Sequence, residues 1–486
     1  YPRVEEIPFD SERKRMVTLH ELRDPRPEHI SPFDDELVKP KGYVVAVKGS
    51  PDLVLDLCSH YQRMDDSTAG IDERQRMKIL RANDIMSQGA LRVLGMAYKV
   101  IQDKPDNIFT DGTEKNLTFA GLIGMIDPPR SEVPPALMTG RRAGIRTVMI
   151  TGDYPKTARA IAESIGLLRP GKQVLTGTDL DRMDEDQLYR EVDDTDVFAR
   201  VSPEHKLRIV DALREHGEVV AMTGDGVNDA PSIKRADIGV AMGITGTDVA
   251  KESADMVLTD DNYASIVSAV EQGRVIYSNI RKFVYYLLSC NLAEIATIFL
   301  ATLTTGASPL TPLQLLWLNL ITDGAPALAL ATEEGDPDIM DHPPRPPSEP
   351  IINPLMRVGL VVQTVAITAV TLGAYFLGLE LFPGEPLVAT TMAFVTLSFS
   401  ELLRAFTARS ERYPIIRIGI LNNRLMNIAV LTSLSLLLAV VYIPFLQPVF
   451  KTVPLTWEQW RYVLPLLVVP AIAAELTKLV MSRLKK

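Results

Sequence analysis

The pattern of apolar and polar residues along the chain changes near residue 280. Before this point, short apolar runs are separated by Gly, Pro and charged residues. After it come six long apolar stretches, at about 283–305, 312–331, 355–377, 387–406, 426–449 and 460–480. A helix needs roughly 20 residues to cross about 30 Å of hydrocarbon, and each stretch is close to that length. The pattern therefore predicts an all-α membrane domain, a six-helix transmembrane bundle over residues 279–486.

The residues before the apolar stretches divide again by their periodicity. Residues 1–115 contain the strand-like runs YVVAVKGSP and ALRVLGMAYKVI on either side of a polar helical segment. From 116 to 278, strand-like runs alternate with helical ones, beginning with LTFAGLIGMID and ending with DIGVAMG. Such alternation is typical of a parallel sheet with helices on its faces, which binds ligands where its strands end. We therefore predict a multidomain α/β protein with soluble domains at 1–115 and 116–278.

Basic residues in the connections between the apolar stretches predict their orientation. The segment before the first stretch, the second and fourth connections and the tail are rich in Lys and Arg, whereas the other connections are poor in them. The basic residues are Arg281, Lys282, Arg345, Arg357, Arg409, Arg412, Arg417, Arg424, Arg483, Lys485 and Lys486. We therefore expect an integral, multi-pass membrane protein whose soluble domains and C-terminus face the cytoplasm.

Composition excludes some classes of partner. The 486 residues carry a net charge of −10, and the soluble part has no long basic run. Because nucleic-acid binding needs clustered Lys and Arg, we do not expect nucleic acid as a partner. Two cysteines are too few for a disulfide framework, so we interpret Cys58 as a buried thiol and Cys290 as part of an apolar helix. No signal-peptide pattern follows Tyr1, and a start so close to candidate functional residues suggests a fragment or a processed product.

Three predicted strands end in residues suited to phosphate chemistry. The residues are Thr151, Gly152 and Asp153 in ITGD, Lys206 after RVSP, and Asp225, Asn228 and Asp229 in TGDGVND. Phosphoryl transfer needs hydroxyl and backbone donors for the phosphate oxygens, a Lys against developing charge, and carboxylates for Mg²⁺. Asp229 lies one helical turn after Asp225, so both carboxylates can face a single ion. Each motif alone is a weak signal, but their order and their place at strand ends favour a phosphoryl-transfer site.

Ionisable and polar side chains inside the apolar stretches are costly and usually mark an ion pathway. The members of this set are Asn291, Glu294, Asn319, Thr322, Asp323 and Glu401. Gly324 and Pro326 follow Asp323 and can loosen the helix there. The set offers only oxygen ligands, as Ca²⁺ prefers, and lacks the thiolate or imidazole that copper and zinc favour. Two alternatives remain, a helix–helix hydrogen bond for Asn291 and an ion pair between Glu401 and Arg404.

The motifs DPPR, TGD, FARVSPEHK and TGDGVNDAP, in this order, resemble those of P-type cation ATPases, whose phosphorylation domain has a haloacid-dehalogenase-like, Rossmannoid fold. The resemblance extends over essentially the whole chain. It implies that Asp225 and Asp229 hold Mg²⁺ with support from Asn228, and that Thr151 and Lys206 hold the phosphoryl group beside Gly152 and Asp153. The family's nucleophile is the Asp of a DKTG motif, which this sequence lacks. It would lie upstream of Tyr1, so we expect the chain alone to be inactive.

The runs EIPFDSERKRM and VKGSPDLVLDLC resemble the second half of the family's nucleotide-binding domain. The resemblance implies that Phe9 stacks on adenine, that Lys14 and Lys48 line the pocket, and that Arg92 reaches the phosphates. It also implies that Asp127, Arg130 and Arg200 link the phosphorylation domain to the nucleotide. An aromatic ring combined with cations suits a purine with a polyanionic tail.

The polar residues within the apolar stretches are similar to those in the fifth, sixth and eighth membrane helices of sarcoplasmic-reticulum-type calcium pumps. The resemblance implies a type II pump that transports Ca²⁺ at the expense of ATP, with Mg²⁺ as cofactor. Its short loops and tail are typical of a prokaryotic pump, so we expect a bacterial plasma membrane. Its further partners would be the lipid bilayer and the missing N-terminal part of the pump. Glu294 and Asn319 match the calcium pumps rather than manganese or sodium pumps. Transport of Mn²⁺ or Na⁺, a subunit of a split pump, and a membrane-anchored phosphatase of the same superfamily remain alternatives.

Overall fold

Residues 1–10, 13–22, 42–89, 91–105, 113–125 and 128–484 are described by the structure, a computed structural model. They form two units, one of residues 1–141 and 146–265 and the other of residues 142–145 and 266–486. The first unit is α/β and the second is helical, which confirms the prediction of a mixed α/β part followed by a helical part.

A seven-stranded sheet forms the N-terminal part of the first unit. Its elements are β1 (Arg3–Asp10), β2 (Arg15–Leu22), β3 (Gly42–Gly49), α1 (Pro51–Asp56), β4 (Cys58–Gln62), β5 (Thr68–Gly70), α2 (Glu73–Gln88), β6 (Arg92–Ile101) and β7 (Leu117–Met125). The strand order is β1-β2-β3-β6-β7-β4-β5, and only the pair β4–β7 is parallel. Val17 and Leu19 of β2 and Val45 and Val47 of β3 alternate with outward residues and bury the same face.

The strand β7 lies in this first sheet, although we predicted it as the first strand of the second domain. It pairs antiparallel with β6, from Arg92 opposite Met125 to Tyr98 opposite Thr118. An apolar run of this length fits any half-buried strand, and its neighbour is chosen by tertiary packing rather than by the run itself. The strand therefore groups with residues 1–101, about ten residues beyond our predicted boundary at 115.

Strands and helices alternate in the rest of the first unit, as predicted. The elements are α3 (Val133–Arg142), β8 (Met149–Thr151), α4 (Pro155–Ser164), β9 (Gln173–Thr176), α5 (Gly177–Arg182), α6 (Glu185–Glu191), β10 (Thr195–Ala199), α7 (Pro203–Glu215), β11 (Ala221–Gly224), α8 (Ala230–Arg235), β12 (Ile238–Met242), α9 (Asp248–Ser253) and β13 (Met256–Leu258). The strands of this part of the first unit form two parallel three-stranded sheets, β8-β10-β9 and β11-β12-β13. Ile209 and Val210 of α7 pack against one sheet each, so this helix lies on both.

The second unit consists of helices. They are α10 (Tyr263–Thr305), α11 (Pro312–Trp317), α12 (Gly324–Leu330), α13 (Pro354–Leu381), α14 (Pro386–Thr407), α15 (Ile415–Ile418), α16 (Arg424–Tyr442), α17 (Gln447–Phe450) and α18 (Trp457–Leu484). Six helical segments in the described part of the chain are long and apolar enough to cross a membrane, and they coincide with the six predicted stretches. The first is continuous with the α10 segment that begins at Tyr263, so it is longer than predicted.

The helix α14 is the most buried of these six segments. It packs against α13, α16 and α18. Small residues allow the close approach: a Cβ at Gly378 of α13 would lie 2.6 Å from the Cα of Ala389 in α14. Close packing of small residues is how helices associate when lipid removes the hydrophobic driving force. Most polar side chains of α14, including Ser398, Ser400 and Glu401, are therefore buried in the bundle.

The second apolar stretch is not one regular helix. A π-helical turn, Leu318–Thr322, separates α11 from α12, and the Asp323 N–H donates to the carbonyl oxygen of Leu318 at 2.9 Å. Single π turns inside helices are often found at functional sites. The interruption lies just before Gly324, where the sequence predicts a loosened helix.

Candidate functional site

The loop after β11 wraps around the carboxylate of Asp229. Its Oδ2 accepts hydrogen bonds from the backbone N–H groups of Asp225 at 3.3 Å and Gly226 at 3.2 Å. A Cβ at Gly224 would lie 2.4 Å from the Cβ of Asp229, closer than real atoms pack. The first glycine of TGDG is therefore required by the close approach of Asp229, which is 6% exposed.

Lys206 approaches the same carboxylate from α7. Its Nζ donates to Asp229 Oδ1 at 2.5 Å, and both side chains are largely buried. The helix starts at Pro203, and Ser202 caps it by accepting a hydrogen bond from the backbone N–H of His205. This capping box fixes the first turn of α7, which carries Lys206. One ion pair thus links the segments that follow β10 and β11.

The ends of β8 and β10 are joined by backbone contacts. The N–H of Val201 donates to the carbonyl oxygen of Thr151 at 3.3 Å, and the N–H of Arg200 donates to that of Asp153 at 3.1 Å. The Thr151 hydroxyl accepts from the N–H of Asp153 at 3.1 Å. Gly152 lies between them, and a Cβ added to it would meet no described atom within 4 Å, so its surroundings are open. The TGD turn therefore presents a hydroxyl and a carboxylate at an open strand end.

Asp225 and Asn228 face outward beside the Lys206–Asp229 ion pair. Both are exposed, and the loop is held by a hydrogen bond from the Thr247 N–H to the Asp225 carbonyl oxygen at 2.8 Å. Both oxygens of Asp229 already accept hydrogen bonds, whereas the Asp225 carboxylate is open to solvent. An exposed carboxylate at the end of parallel strands suits a hydrated Mg²⁺, which binds through one or two carboxylates and keeps several waters. The residues present therefore fit this ion, with Asp225 as the more accessible ligand.

Asp261, which the sequence analysis missed, holds the neighbouring loop. Its carboxylate accepts from the backbone N–H groups of Gly243 at 2.7 Å, Ile244 at 3.0 Å and Thr245 at 2.8 Å, and from the Thr245 hydroxyl. The bond from Ile244, followed by those from Thr245 and Gly243, lowers the pKa of Asp261 to about 2 against a weaker effect of burial. Its only sequence signal is an Asp between a strand and a helix, which is common in ordinary turns.

The predicted nucleotide residues are exposed on the first unit. Phe9 is 64% exposed, and Lys14, Lys48 and Arg92 also reach solvent. Lys48 of β3 lies opposite Met96 of β6, and Arg92 is four residues before Met96, so both cations point from the same face of the sheet. This face would suit a polyanion, but no contact joins Phe9 to these cations in the part of the chain that the structure describes.

The remaining nucleotide candidates lie near the parallel strands. Arg130 donates to the carbonyl oxygen of Asp260 at 3.1 Å, close to the end of β13. Arg200 follows β10 with φ of +52° and lies over the ring of Tyr154, with its Cζ 5.0 Å from the ring centroid. Asp127 lies outside the described residues.

Three carboxylates from different helices are buried in the second unit. Glu294 of α10, Asp323 after the π turn and Glu401 of α14 are 5%, 1% and 0% exposed. Glu294 Oε2 accepts from Asn319 Nδ2 at 3.1 Å, and Asp323 Oδ1 accepts from the Tyr286 hydroxyl at 3.0 Å. Their other oxygens and both oxygens of Glu401 have no hydrogen-bond partner among the described residues. Unpaired buried carboxylates cost several kcal/mol each, so this arrangement suits a bound cation.

The other polar candidates take different positions around these carboxylates. Thr322 is fully buried, and its hydroxyl has no partner among the described residues. Asn291 is half-buried and donates to the carbonyl oxygen of Leu287 in its own helix at 2.8 Å. The alternative of a helix–helix hydrogen bond from this amide nitrogen is therefore wrong.

Arg404 does not neutralise Glu401, although it lies one turn away on α14. Its guanidinium donates to the Ser289 hydroxyl at 3.2 Å and to the Thr407 hydroxyl at 3.1 Å, and it lies over the ring of Tyr285 at 4.5 Å. Glu401 and Arg404 are three residues apart on α14, so their side chains lie on neighbouring faces of the helix. The hydrogen bonds from Arg404 to Ser289 and Thr407 direct its guanidinium away from Glu401. The alternative ion pair between Glu401 and Arg404 is therefore wrong.

Cys290 is part of the apolar helix α10, as predicted, and its thiol lies among the carboxylates. Its Sγ, one oxygen of Asp323 and one oxygen of Glu401 all lie within 4.8 Å of one another, and all three residues are buried. Cys290 precedes Glu294 by four residues on α10, so both point to the same side of that helix. The all-oxygen set predicted from the sequence is thus incomplete, because a thiol lies beside it.

Two family models match the chain. Residues 307–480 match the model described as cation transporting ATPase, C-terminus, and residues 1–132 match the model described as P-type ATPase, cytoplasmic domain N. Together these cover the last membrane stretches and the seven-stranded sheet. The match to residues 1–132 includes β7, in agreement with its place in that sheet.

Curated relatives match along nearly the whole chain. "Calcium-transporting ATPase 1" of Bacillus cereus is 44% identical over 99% of this chain and 53% of its own length. "Calcium-transporting ATPase" of Bacillus subtilis is 42% identical over 97% of this chain and 51% of its own length. The human "Calcium-transporting ATPase type 2C member 1" is 38% identical over 98% of this chain and 49% of its own length. The chain thus spans about half the length of the curated relatives it matches.

Proposed function

Since the chain belongs to the P-type cation-transporting ATPase family, we propose that it supplies the cation-binding and phosphate-handling parts of an ATP-driven Ca²⁺ pump. The chain is a multi-pass membrane protein with a mixed α/β part. The observation that carries the proposal is the set of three buried carboxylates, from three helices, with unpartnered oxygens. Helices that only anchor a protein in the membrane need no such groups, so a membrane-anchored phosphatase is disfavoured.

The ion we propose is Ca²⁺. Glu294, Asp323 and Glu401 supply carboxylate oxygens, and Asn319 and Thr322 add an amide and a hydroxyl oxygen. Ca²⁺ accepts about 6–8 oxygens at flexible distances, whereas Mg²⁺ demands a near-ideal octahedron. The names of the relatives point to the same ion. The π turn before Gly324 supports this role, because single π turns inside helices are often found at functional sites.

The phosphate-handling part is the set of strand ends around Lys206 and Asp229, within a domain that we propose is haloacid-dehalogenase-like. Lys206 and the Thr151 hydroxyl would bind the phosphoryl oxygens, and Asp225 would hold Mg²⁺. Mg²⁺, when bound, neutralises charge on the transferred phosphoryl group. Asp229 would orient Lys206 and the Asp225 loop. Asn228 and the TGD turn at Gly152 and Asp153 would border the same space.

The nucleophile of this reaction must come from outside this chain, because the chain carries no DKTG motif. Strands β8 and β11 each pair with only one neighbour among the described strands, so each has an edge open to a further strand. We infer that the strand that carries the nucleophile adds at one of these edges. ATP would bind the exposed face that carries Lys48 and Arg92, with Phe9 and Lys14 nearby and Arg130 and Arg200 on the phosphate side.

The orientation remains a prediction from the basic connections, and the kind of membrane remains a prediction from the short loops and tail. The soluble domains and the C-terminus would face the cytoplasm, and the bacterial plasma membrane would be the site of transport. The N-terminal part of the pump would be the remaining partner.

A test of this function is Ca²⁺-dependent phosphorylation of the complete protein by ATP. We expect Ca²⁺ to stimulate phosphoenzyme formation, and Asp323→Asn and Glu401→Gln each to weaken the Ca²⁺ dependence by about tenfold or more, since each removes a charged ligand. Glu385→Gln, which changes an exposed carboxylate outside the cluster, should leave it unchanged.

Parallel titrations with Mn²⁺ and Na⁺ distinguish the rival ions. Phosphorylation that responds to Na⁺ but not to Ca²⁺, or that keeps its Ca²⁺ dependence in both cluster variants, would contradict the proposal.

A further inference from the structure

The three buried carboxylates of the proposed Ca²⁺ site, Glu294, Asp323 and Glu401, form what we call the cation cluster. A sulfur atom that the proposed Ca²⁺ site does not use lies beside them. Cys290 is 0% exposed, and its Sγ lies within 4.8 Å of ligand oxygens of both Asp323 and Glu401. Among the described residues this is the group of His, Cys, Asp and Glu side chains whose geometry could hold a metal ion. The thiol therefore lies where a cation held by the two carboxylates would meet it.

A second observation shows that these groups are arranged around a ligand. Glu401 is fully buried, and neither of its oxygens has a hydrogen-bond partner among the described residues. Asp323 Oδ2 is also buried without a hydrogen-bond partner among these residues. An apolar environment makes such groups costly unless a cation compensates them. Among the described residues, the Cys290 thiol lies beside these same carboxylates.

The spacing is compatible with one shared metal ion. Protein oxygens and sulfurs bind zinc-sized ions at about 2.0–2.3 Å, so two ligands on one ion are separated by at most about 4.6 Å. The Cys290 Sγ, one Asp323 oxygen and one Glu401 oxygen all lie within 4.8 Å of one another, which is about the span that one such ion requires.

We propose that Cys290, Asp323 and Glu401 form a mixed sulfur–oxygen site for thiophilic divalent cations, which compete with Ca²⁺ for the same carboxylates. This inference rests on the proposed function, because it adds a specificity-determining ligand to that cation site. Soft thiolate ligands select ions such as Zn²⁺, whereas a hard ion such as Ca²⁺ gains little from sulfur. Binding replaces the S–H bond with a metal–sulfur bond and releases one proton to solvent.

Cd²⁺ is the probe for this site, because it is close to Ca²⁺ in size and prefers sulfur ligands. The complete protein is titrated with Cd²⁺, and the ultraviolet charge-transfer band between thiolate and cadmium is followed. We expect the band to appear in the wild type and to disappear as Ca²⁺ is added. Cys290→Ser should weaken Cd²⁺ binding by about tenfold or more, the range seen when a metal site loses support, and should change Ca²⁺ affinity by less than about threefold.

Cys58→Ser is the matched control, because Cys58 is also buried but lies in the first unit, where its thiol donates to the carbonyl oxygen of Val54 at 3.1 Å. It should leave both affinities unchanged. Cys290→Ala repeats the test with a different small side chain, so that a folding defect of one variant does not decide the outcome.

The results separate this inference from the Ca²⁺ proposal. A Cd²⁺ affinity and charge-transfer band that are the same in wild type and in both Cys290 variants would overturn the inference, even where Ca²⁺ binding persists. A band that requires Cys290 in a protein that binds no Ca²⁺ would support the sulfur site and overturn the Ca²⁺ assignment.

Discussion

Gly224 shows how one residue can set the geometry of the phosphate-handling loop. A Cβ at this position would lie 2.4 Å from the Cβ of Asp229 and 2.8 Å from its Oδ2. At Gly226, two residues later, a Cβ would meet the same Oδ2 at 3.5 Å, an ordinary contact. A Cβ at Gly224 would therefore clash with Asp229, whereas a Cβ at Gly226 would not.

We therefore expect Gly224→Ala to displace Asp229 and to lower the free energy of unfolding of the first unit by about 1–3 kcal/mol, the usual range for overpacking. Gly226→Ala should change it by no more than about 0.5 kcal/mol. Denaturant unfolding of both variants measures this contrast. Equal effects would show that Asp229 does not pack against Gly224 as the structure has it.

Asp261 gives a pH dependence at the residue scale. The backbone bond from Ile244 and those from Thr245 and Gly243 lower its pKa to about 2, below the value of about 3.9 in an unfolded chain. A depressed pKa stabilises the fold above the unfolded value, and this stabilisation is lost as pH falls through the folded value. The contribution of Asp261 should therefore disappear between about pH 4 and pH 2.

The measurement is the stability difference between wild type and Asp261→Asn at several pH values. We expect a constant difference above about pH 5 that shrinks toward pH 2. Glu252→Gln, an exposed change on α9, should show no such trend. A difference that grows on acidification would contradict the assigned direction.

At the scale of elements, a buried ion pair holds the ends of several helices together. Arg409, just after α14, donates to both oxygens of Glu333, after α12, at 2.9 and 2.7 Å. It also donates to the carbonyl oxygens of Gly419 and Ile420, while Asn423 at the start of α16 donates to Glu333. The pair thus fixes the segments that carry Asp323 and Glu401, two of the three carboxylates that we propose bind the cation.

Arg409→Met should destabilise the second unit by about 3–5 kcal/mol, because it leaves Glu333 buried and charged. The loss of stability in the double variant with Arg409→Met and Glu333→Gln should be smaller than the sum of the losses in the two single variants. Arg142→Met, which removes an exposed pair with Asp341 at 3.7 Å, should cost less than about 1 kcal/mol. A double-mutant cycle on thermal unfolding measures the coupling, and strict additivity would contradict a direct pair.

At the scale of the whole molecule, the two candidate sites lie in different units. The cation cluster lies wholly within residues 266–486, and the Lys206–Asp229 arrangement lies wholly within residues 146–265. Ligands that bind only the folded state stabilise it by about 2.7 kcal/mol at a concentration of 100 times Kd. Each ligand should therefore protect its own unit most strongly.

Hydrogen exchange of the complete protein tests this separation. Ca²⁺ should slow exchange most in peptides that cover 286–294, 318–324 and 398–404. Mg²⁺ with a phosphate analogue should act most on 151–153 and 224–229. Exchange in the cation-cluster peptides that ignores Ca²⁺ would contradict the assignment of the site.

Several features of this protein follow from local sequence alone. The six apolar helices are fixed by length and hydropathy, since a span needs a continuous run of about 20 apolar residues. Lys206, Asp225 and Asp229 were predicted from their places after strand-like runs, because ligands bind where parallel strands end. Glu294, Asp323 and Glu401 stood out because charge inside an apolar helix is costly.

Other features required the tertiary structure, because they depend on contacts between residues distant in sequence. Pairing with β6 assigned β7 to the first sheet, and the neighbours of Arg404 decided that Glu401 has no counter-ion on its own helix. Nothing in the local sequence separates Cys290 from any other small apolar residue of a helix. Its thiol lies beside Asp323 and Glu401 only because three helices pack together there, and helix packing is determined by shape over the whole bundle.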